Sequence, residues 1–552
     1  MTFRRKSSNQ MQEKRGKHIK KRAFTPAYVS PAQLTLEGFE TPFEQKLRKD
    51  NRWVKLAERI PWDRIVPSYD QLFVSKEGRP PISGRVILGS LIIKHLGNLT
   101  DRETIAQIQE NMYMQHFLGY SSYCAEAPFS ASLFVEIRQR LSLELLGRIN
   151  ELIAVSALEA EEQLQQQKEE SQAPSESKQP EGPDKEDPPD GAMETGQEQE
   201  VCSERSTPAE VYPVTNKGNL LVDATVAPQN ITFPTDLKLL DAARRKSEEL
   251  IDRLYHPVLH GKLKPRTYRQ LARKDYLDTA KKKRKNAKEI YKANGRQLRY
   301  LRRNLGHIEM LLEAYEQFPL KVNDLKYLMV LHTVYEQQDQ MYRSRSHQVE
   351  DRIVNIHQPH VRPIVRGKDK AKTEFGSKVH VALVSGFTFI DRFSWDAFNE
   401  GGYLIRSVEH YKRRFGYYPA QVHADQIYCS RENRRAMKER GIKLMAKPLG
   451  RPSAQAVNHH VRPGERNPIE GKFGQAKLKY GMDNIRAKLA TTSASWVASI
   501  ALVLNLVRLT RQAPMRLMID LVEKMLSDIR CLCRKLESKY EPKFLVVNIR
   551  LS

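Results

Sequence analysis

The chain has 552 residues, enough for two or three domains with separate cores. Its 92 Lys and Arg against 66 Asp and Glu give a formal net charge of +26, which points to a polyanionic partner, most simply nucleic acid. Basicity alone also fits a ribosome-associated or membrane-surface protein. The five cysteines (Cys124, Cys202, Cys429, Cys531, Cys533) form no C-x-x-C pair and lack histidines at zinc spacing. That argues against a zinc finger or a disulfide framework and fits a reducing cytoplasm.

Residues 1–30 read as a basic disordered tail, with Arg4, Arg5, Lys6, Lys20, Lys21 and Arg22 and no apolar core of a secretory signal. Residues 45–155 read as a helical domain. Ser83 is placed to cap a helix through Val86, Ile87, Leu91 and Ile92, with Gly97 at its end. Thr100-Asp101-Arg102-Glu103 reads as a capping box opening a second helix, and a third follows Ser130. Helices joined by such short turns suit a helix-turn-helix, here for recognising DNA ends, although compact helical domains without DNA contact share the pattern.

Residues 161–210 hold 15 acidic and 4 basic residues, six prolines and no aromatic residue. So little apolar surface predicts a disordered acidic linker. The stretch 217–515 follows as an α/β domain. It opens on the strand-like run ending at Asp223 and carries a helical insertion at about 236–350. In that insertion Lys281–Lys285 and the series Arg296, Arg299, Arg302, Arg303 are either a solvated face or a DNA-tracking one. A β-hairpin is predicted at about 376–395, then a helix at 402–415, a strand ending at Asp425, and a helix at 430–440. The apolar run Trp496 to Val507 is a dozen residues, short of the roughly 20 that span a bilayer, so a buried helix of a soluble protein is expected. A helical tail is expected over 516–552.

Three acidic residues stand in contexts that suit a metal site. Asp223 follows Leu220-Leu221-Val222, Asp425 follows Gln421-Val422-His423-Ala424, and Glu470 begins a helical segment after Pro468. Carboxylates leaving buried strands can point into a cleft, and three converging ones can hold two Mg²⁺ ions about 3.5–4 Å apart, clamping the attacking and leaving oxygens of a phosphoryl transfer. Arg466 and Lys477 flank Glu470 near one helix face, where they would hold phosphates; an exposed, salt-bridged helix has the same spacing. Asp391 and Asp396, beside the hairpin, are rival ligands should the strand register differ.

This order of residues resembles the DDE transposases of bacterial insertion sequences. One large group of them carries Tyr-x2-Arg-x3-Glu-x6-Lys, and this chain has Arg466-x3-Glu470-x6-Lys477 with Pro463 at the Tyr position. Leu221-Val222-Asp223-Ala224-Thr225, His423-Ala424-Asp425 and Asn467-Pro468-Ile469-Glu470-Gly471-Lys472-Phe473-Gly474 share the likeness, over about 35–510 without the linker. The resemblance implies an RNase H-like mixed sheet with a long helical insertion, preceded by an all-α N-terminal domain. It implies Asp223, Asp425 and Glu470 as catalytic metal ligands for two Mg²⁺, with Mn²⁺ able to substitute, and Arg466, Lys477 and Lys472 as phosphate-binding residues.

The implied partners are the terminal inverted repeats and target DNA, in a homodimeric synapse in the bacterial cytoplasm at the nucleoid, with no membrane. Two departures leave the cleavage pathway open: the Tyr is absent, and the 44 residues between Asp425 and Glu470 hold no tryptophan. The alternatives are an RNase H-like nuclease that does not join DNA and a non-catalytic DNA-binding relic. A general RNA-binding protein lacks support, since no aromatic stacking motif is evident.

Overall fold

A computed structural model describes residues 41–73, 81–172, 216–365, 373–446 and 464–511 except Glu465. The basic tail, most of the acidic linker, Pro463 and the tail at 516–552 lie outside the described residues. The chain is a mixed α/β protein.

The N-terminal part is helical throughout: α1 (Pro42–Lys46), α2 (Arg52–Arg59), α3 (Trp62–Asp70), α4 (Gly84–Leu96), α5 (Asp101–Glu110), α6 (Met112–Phe117), α7 (Leu133–Arg140) and α8 (Leu143–Gln172). The capping box at α5 forms as its sequence dictates. Thr100 Oγ1 accepts the Glu103 N–H at 3.3 Å, and Glu103 Oε2 accepts the Thr100 N–H at 2.7 Å. Ser83 precedes α4 but makes no side-chain cap. α8 runs to Gln172, twelve residues into the stretch expected to be a disordered linker. Its Glu, Gln and Leu are strong helix formers, and that propensity outweighs the lack of a core-forming pattern.

β1 (Asn219–Pro228) leads into the insertion, which comprises α9 (Asp236–Leu254), α10 (Pro257–His260), α11 (Arg269–Ala280), α12 (Ala287–Glu313) and α13 (Val322–Ser344). These helices bury a core of their own, including Leu240, Leu250, Leu301, Ile308 and Leu331. At its centre the buried Arg244 guanidinium pairs with Asp241 and Glu248, each at 2.5 Å, and donates to Gln297 Oε1 on α12. A charge this deep is tolerable because its donors are met.

β2 (Arg362–Val365), β3 (Thr373–Val384) and β4 (Phe387–Ser394) follow, then α14 (Leu404–Phe415), β5 (Gln421–His423), α15 (Arg431–Glu439) and β6 (Lys443–Met445), and last α16 (Asn467–Tyr480) and α17 (Ala490–Arg511). β3 pairs antiparallel with β1, β2 and β4, while β1 to β5 and β5 to β6 are parallel. Alternation along β1 splits its side chains between two cores. Leu220 and Val222 join α14 residues Leu404 and Val408, whereas Leu221 and Ala227 join Ile469 of α16 and Ile500 of α17.

α17 is buried on nearly every side along its apolar run from Trp496 to Val507, which only Ser499 and Asn505 interrupt. It is long and apolar enough to cross a membrane, yet 83% of its most apolar window is buried in the fold. Trp496, Ile500, Val503 and Leu504 pack on the sheet. Ala498, Leu502 and Leu506 complete the core of the N-terminal helices.

Candidate active site

Asp223 lies on β1 opposite Val381, on the sheet face covered by α16 and α17. Its Oδ1 accepts the Ala224 N–H at 2.8 Å. Asp425 comes from a different element. The last parallel pair, Leu221 with His423, leaves both aspartates two residues further along adjacent strands. β5 stops there, and Asp425 caps a 3-10 turn (Gln426–Tyr428), its Oδ1 accepting the Gln426 N–H at 2.8 Å.

Arg466, at the head of α16, bridges the two aspartates. Its Nη2 is 3.2 Å from Asp223 Oδ2 and its Nη1 is 3.2 Å from Asp425 Oδ1. Pro468 in the first turn suits the helix start, where its missing N–H costs nothing. Glu470 sits one turn on, its N–H donating to Arg466 O at 3.5 Å, with its side chain exposed. Lys472 and Lys477 lie further along α16, partly buried. The structure therefore brings Asp223, Asp425 and Arg466 into contact. Glu470 stands beside them on the helix without joining them. Among the described residues no three His, Cys, Asp or Glu side chains are grouped closely enough to hold a metal ion.

The rival carboxylates lie elsewhere. Asp391 is fully buried against Arg414 of α14 at 2.9 Å and His410 at 3.4 Å, a structural pair. Asp396 is exposed near Arg362.

Two residues not foreseen from the sequence belong to the site. Glu400, paired with Lys378 at 2.7 Å, adds negative charge near Asp223. Tyr428 is buried under the same groups, and its hydroxyl has no hydrogen-bond partner among the described residues. Gly401 explains how Glu400 gets there. A Cβ on Gly401 would lie 2.4 Å from Ile427 O, so only glycine lets this loop press against the turn after Asp425. Asn433 Nδ2 fastens the contact by donating to Gly401 O and Tyr428 O. The Asn399-Glu400-Gly401-Gly402 run is the one trace of this in the sequence.

The electrostatics follow from burial and crowding. Asp223 is pushed up to about 6, first by desolvation, with Glu400 and Asp425 adding repulsion while the Ala224 N–H and Arg466 oppose it. Tyr428 is likewise pushed up, mainly by burial and then by the surrounding carboxylates. Two carboxylates aimed at one positive charge form an all-oxygen donor set that fits a hard divalent cation, with the Arg466 guanidinium supplying that charge here.

Two family models match the chain. One, described as transposase DDE domain, covers residues 422–507, and one, described as transposase domain (DUF772), covers residues 41–140. Both support a DDE-type insertion-sequence transposase.

The DDE match contains Asp425, Arg466 and Glu470, while Asp223 lies outside both matches. The chain is also similar to an uncharacterized protein, ORF8 of the nfe locus, from Rhizobium meliloti. The two are 32% identical over 106 residues, which is 19% of this chain and 51% of the relative. The chain thus spans about half the length of that curated relative. No solved structure matches.

Proposed function

We propose that the protein binds the ends of an insertion sequence and catalyses metal-dependent DNA cleavage and strand transfer. The observation that carries this is the meeting of Asp223 and Asp425, from separate strands, on Arg466 at the head of the helix bearing Glu470. A sheet that is antiparallel on one side of β1 and parallel on the other supports an RNase H-like reading of the catalytic part. The N-terminal helices, about 45–155, recognise the transposon ends, and two chains work as a homodimer on the bacterial nucleoid, one at each end.

Asp223, Asp425 and Glu470 would hold divalent cations, two Mg²⁺ or Mn²⁺ in their place, which would supply Lewis-acid stabilisation of the negative charge that develops in a displacement at phosphorus. Arg466 holds an oxygen of the scissile phosphate, while Lys472 and Lys477 hold neighbouring phosphates. Buried Tyr428 and Ile469 keep bulk water from the floor of the site. Water attacks phosphorus at the element end and breaks its bond to the 3′ oxygen, which leaves as a 3′ hydroxyl. That hydroxyl then attacks a target-DNA phosphorus and displaces the target's own 3′ oxygen, which takes up the proton.

The test is excision and joining of a marker flanked by the element's own ends, comparing wild type with Glu470→Gln in Mg²⁺. Joined product lost in the variant while end binding survives is the expected result. Equal joining in both removes Glu470 from the site. Cleavage without joining in the wild type leaves a nuclease, and binding with neither leaves a DNA-binding relic.

A further inference from the structure

We infer that the outward face of α12 is a docking surface for the phosphate backbone of duplex DNA lying outside the active site. The inference rests on the DNA reading above and extends it to the helical insertion. At 100° per residue, Lys288, Lys292, Arg299 and Arg302 fall within an arc of about 80°. All four are exposed. They lie opposite the buried stripe of Ala293, Gln297, Leu301, Asn304 and Ile308, by which α12 packs on α9 and α13.

The remaining charges on the helix sharpen the pattern. Between Glu289 and Glu309, α12 holds no acidic residue. Two other arginines are engaged within the fold: Arg296 pairs with Asp275 at 3.4 Å, and Arg303 donates to Thr267 O at 3.1 Å and lies over the Tyr268 ring. The nearby acids are likewise occupied, Asp252 by Lys264 and Arg269, and Asp241 by Arg244. Among the described residues no ion pair engages the four cations of the stripe. Just ahead of α12, Lys283, Arg284 and Lys285 are exposed and extend the same charge, while Lys282 is held by Glu289 at 2.8 Å.

Shape and chemistry select the partner. From Lys288 to Arg302 the stripe runs about 21 Å. Duplex DNA carries one negative charge per about 1.7 Å of axis, so the stripe faces phosphates along about six base pairs. No large apolar side chain stands within the stripe to anchor a protein partner, whose interface would need a desolvated core. The insertion is rooted in β1, the strand that carries Asp223.

The test uses the full chain and a fluorescent duplex, with affinity measured across a salt series. The variant combines Lys288→Ala, Lys292→Ala, Arg299→Ala and Arg302→Ala. Four lost phosphate contacts should make the slope of log affinity against log salt shallower by about 3.6. A charge-keeping double variant, Lys288→Arg with Lys292→Arg, should keep the wild-type slope. An unchanged slope in the folded quadruple variant overturns the stripe alone, since Glu470→Gln in the joining assay tests the active site independently. Wild type that binds polyglutamate but not duplex DNA overturns both this surface and the proposed function.

Discussion

Asp223 is held where a carboxylate resists ionisation, and the sign of that effect can be worked out. Its folded pKa, about 6, lies above the ordinary 3.8. Its burial is therefore fully tolerated below pH 3.8, and the associated stability is lost as pH rises through 6. At pH 8 the ionised side chain costs the metal-free protein about 2–3 kcal/mol. Asp223→Asn should raise the denaturation midpoint in EDTA at pH 8, with the gain shrinking toward pH 4. A variant no more stable than wild type at pH 8 would contradict the strained carboxylate. The proton also competes with a cation, so stabilisation by Mg²⁺ should fade as pH drops through 6. Asp425 and Arg466 are legible in the sequence because a strand end and a helix start position them, whereas Asp223, expected at a strand end, sits mid-strand because β1 runs on to Pro228 in its pairing with β3. Glu400 and Tyr428 are not legible, because a contact between distant loops at Gly401 brings them in.

At the scale of elements, local chemistry is read well and tertiary contact is not. The Thr100–Glu103 capping box is complete within four residues, so the sequence contains all of it. The hairpin of β3 and β4 is equally local, turning at Ser385 and Gly386 in the left-handed region. α7 begins at Leu133, after a turn in which the Leu133 N–H donates to Ser130 O at 2.9 Å. The join of α8, α17 and β4 lies beyond any local pattern. Buried Asn505 accepts the Thr388 N–H at 2.7 Å and donates to Asn150 Oδ1 at 2.8 Å, while Asn150 donates to Thr388 O. Asn505→Leu would strand the Thr388 N–H in the core. A loss of about 3 kcal/mol is expected, read as a lowered denaturation midpoint. A neutral result would mean that the network contributes nothing.

For the molecule as a whole, the sequence suggests an N-terminal helical domain standing apart from a catalytic one. The structure joins their interiors through α17. An apolar run announces that a helix is buried, but its composition does not say against what. With one face toward the sheet and another toward α2, α4 and α7, α17 couples the two parts. Leu502→Ala should cost about 2–5 kcal/mol. Hydrogen exchange should rise in both α4 and β3, whereas a rise confined to one would show that the parts open independently.

The order of synthesis gives that shared helix a further consequence. The helices of residues 41–153 emerge from the ribosome early, yet Ala498, Leu502 and Leu506, which close their core, are made hundreds of residues later. At about 5–20 residues per second, a nascent chain carries an open apolar groove for on the order of tens of seconds. During that interval the segment matched by the N-terminal transposase model cannot settle into its final packing. Any product cut short before α17 keeps the groove exposed, marked for chaperones and proteases.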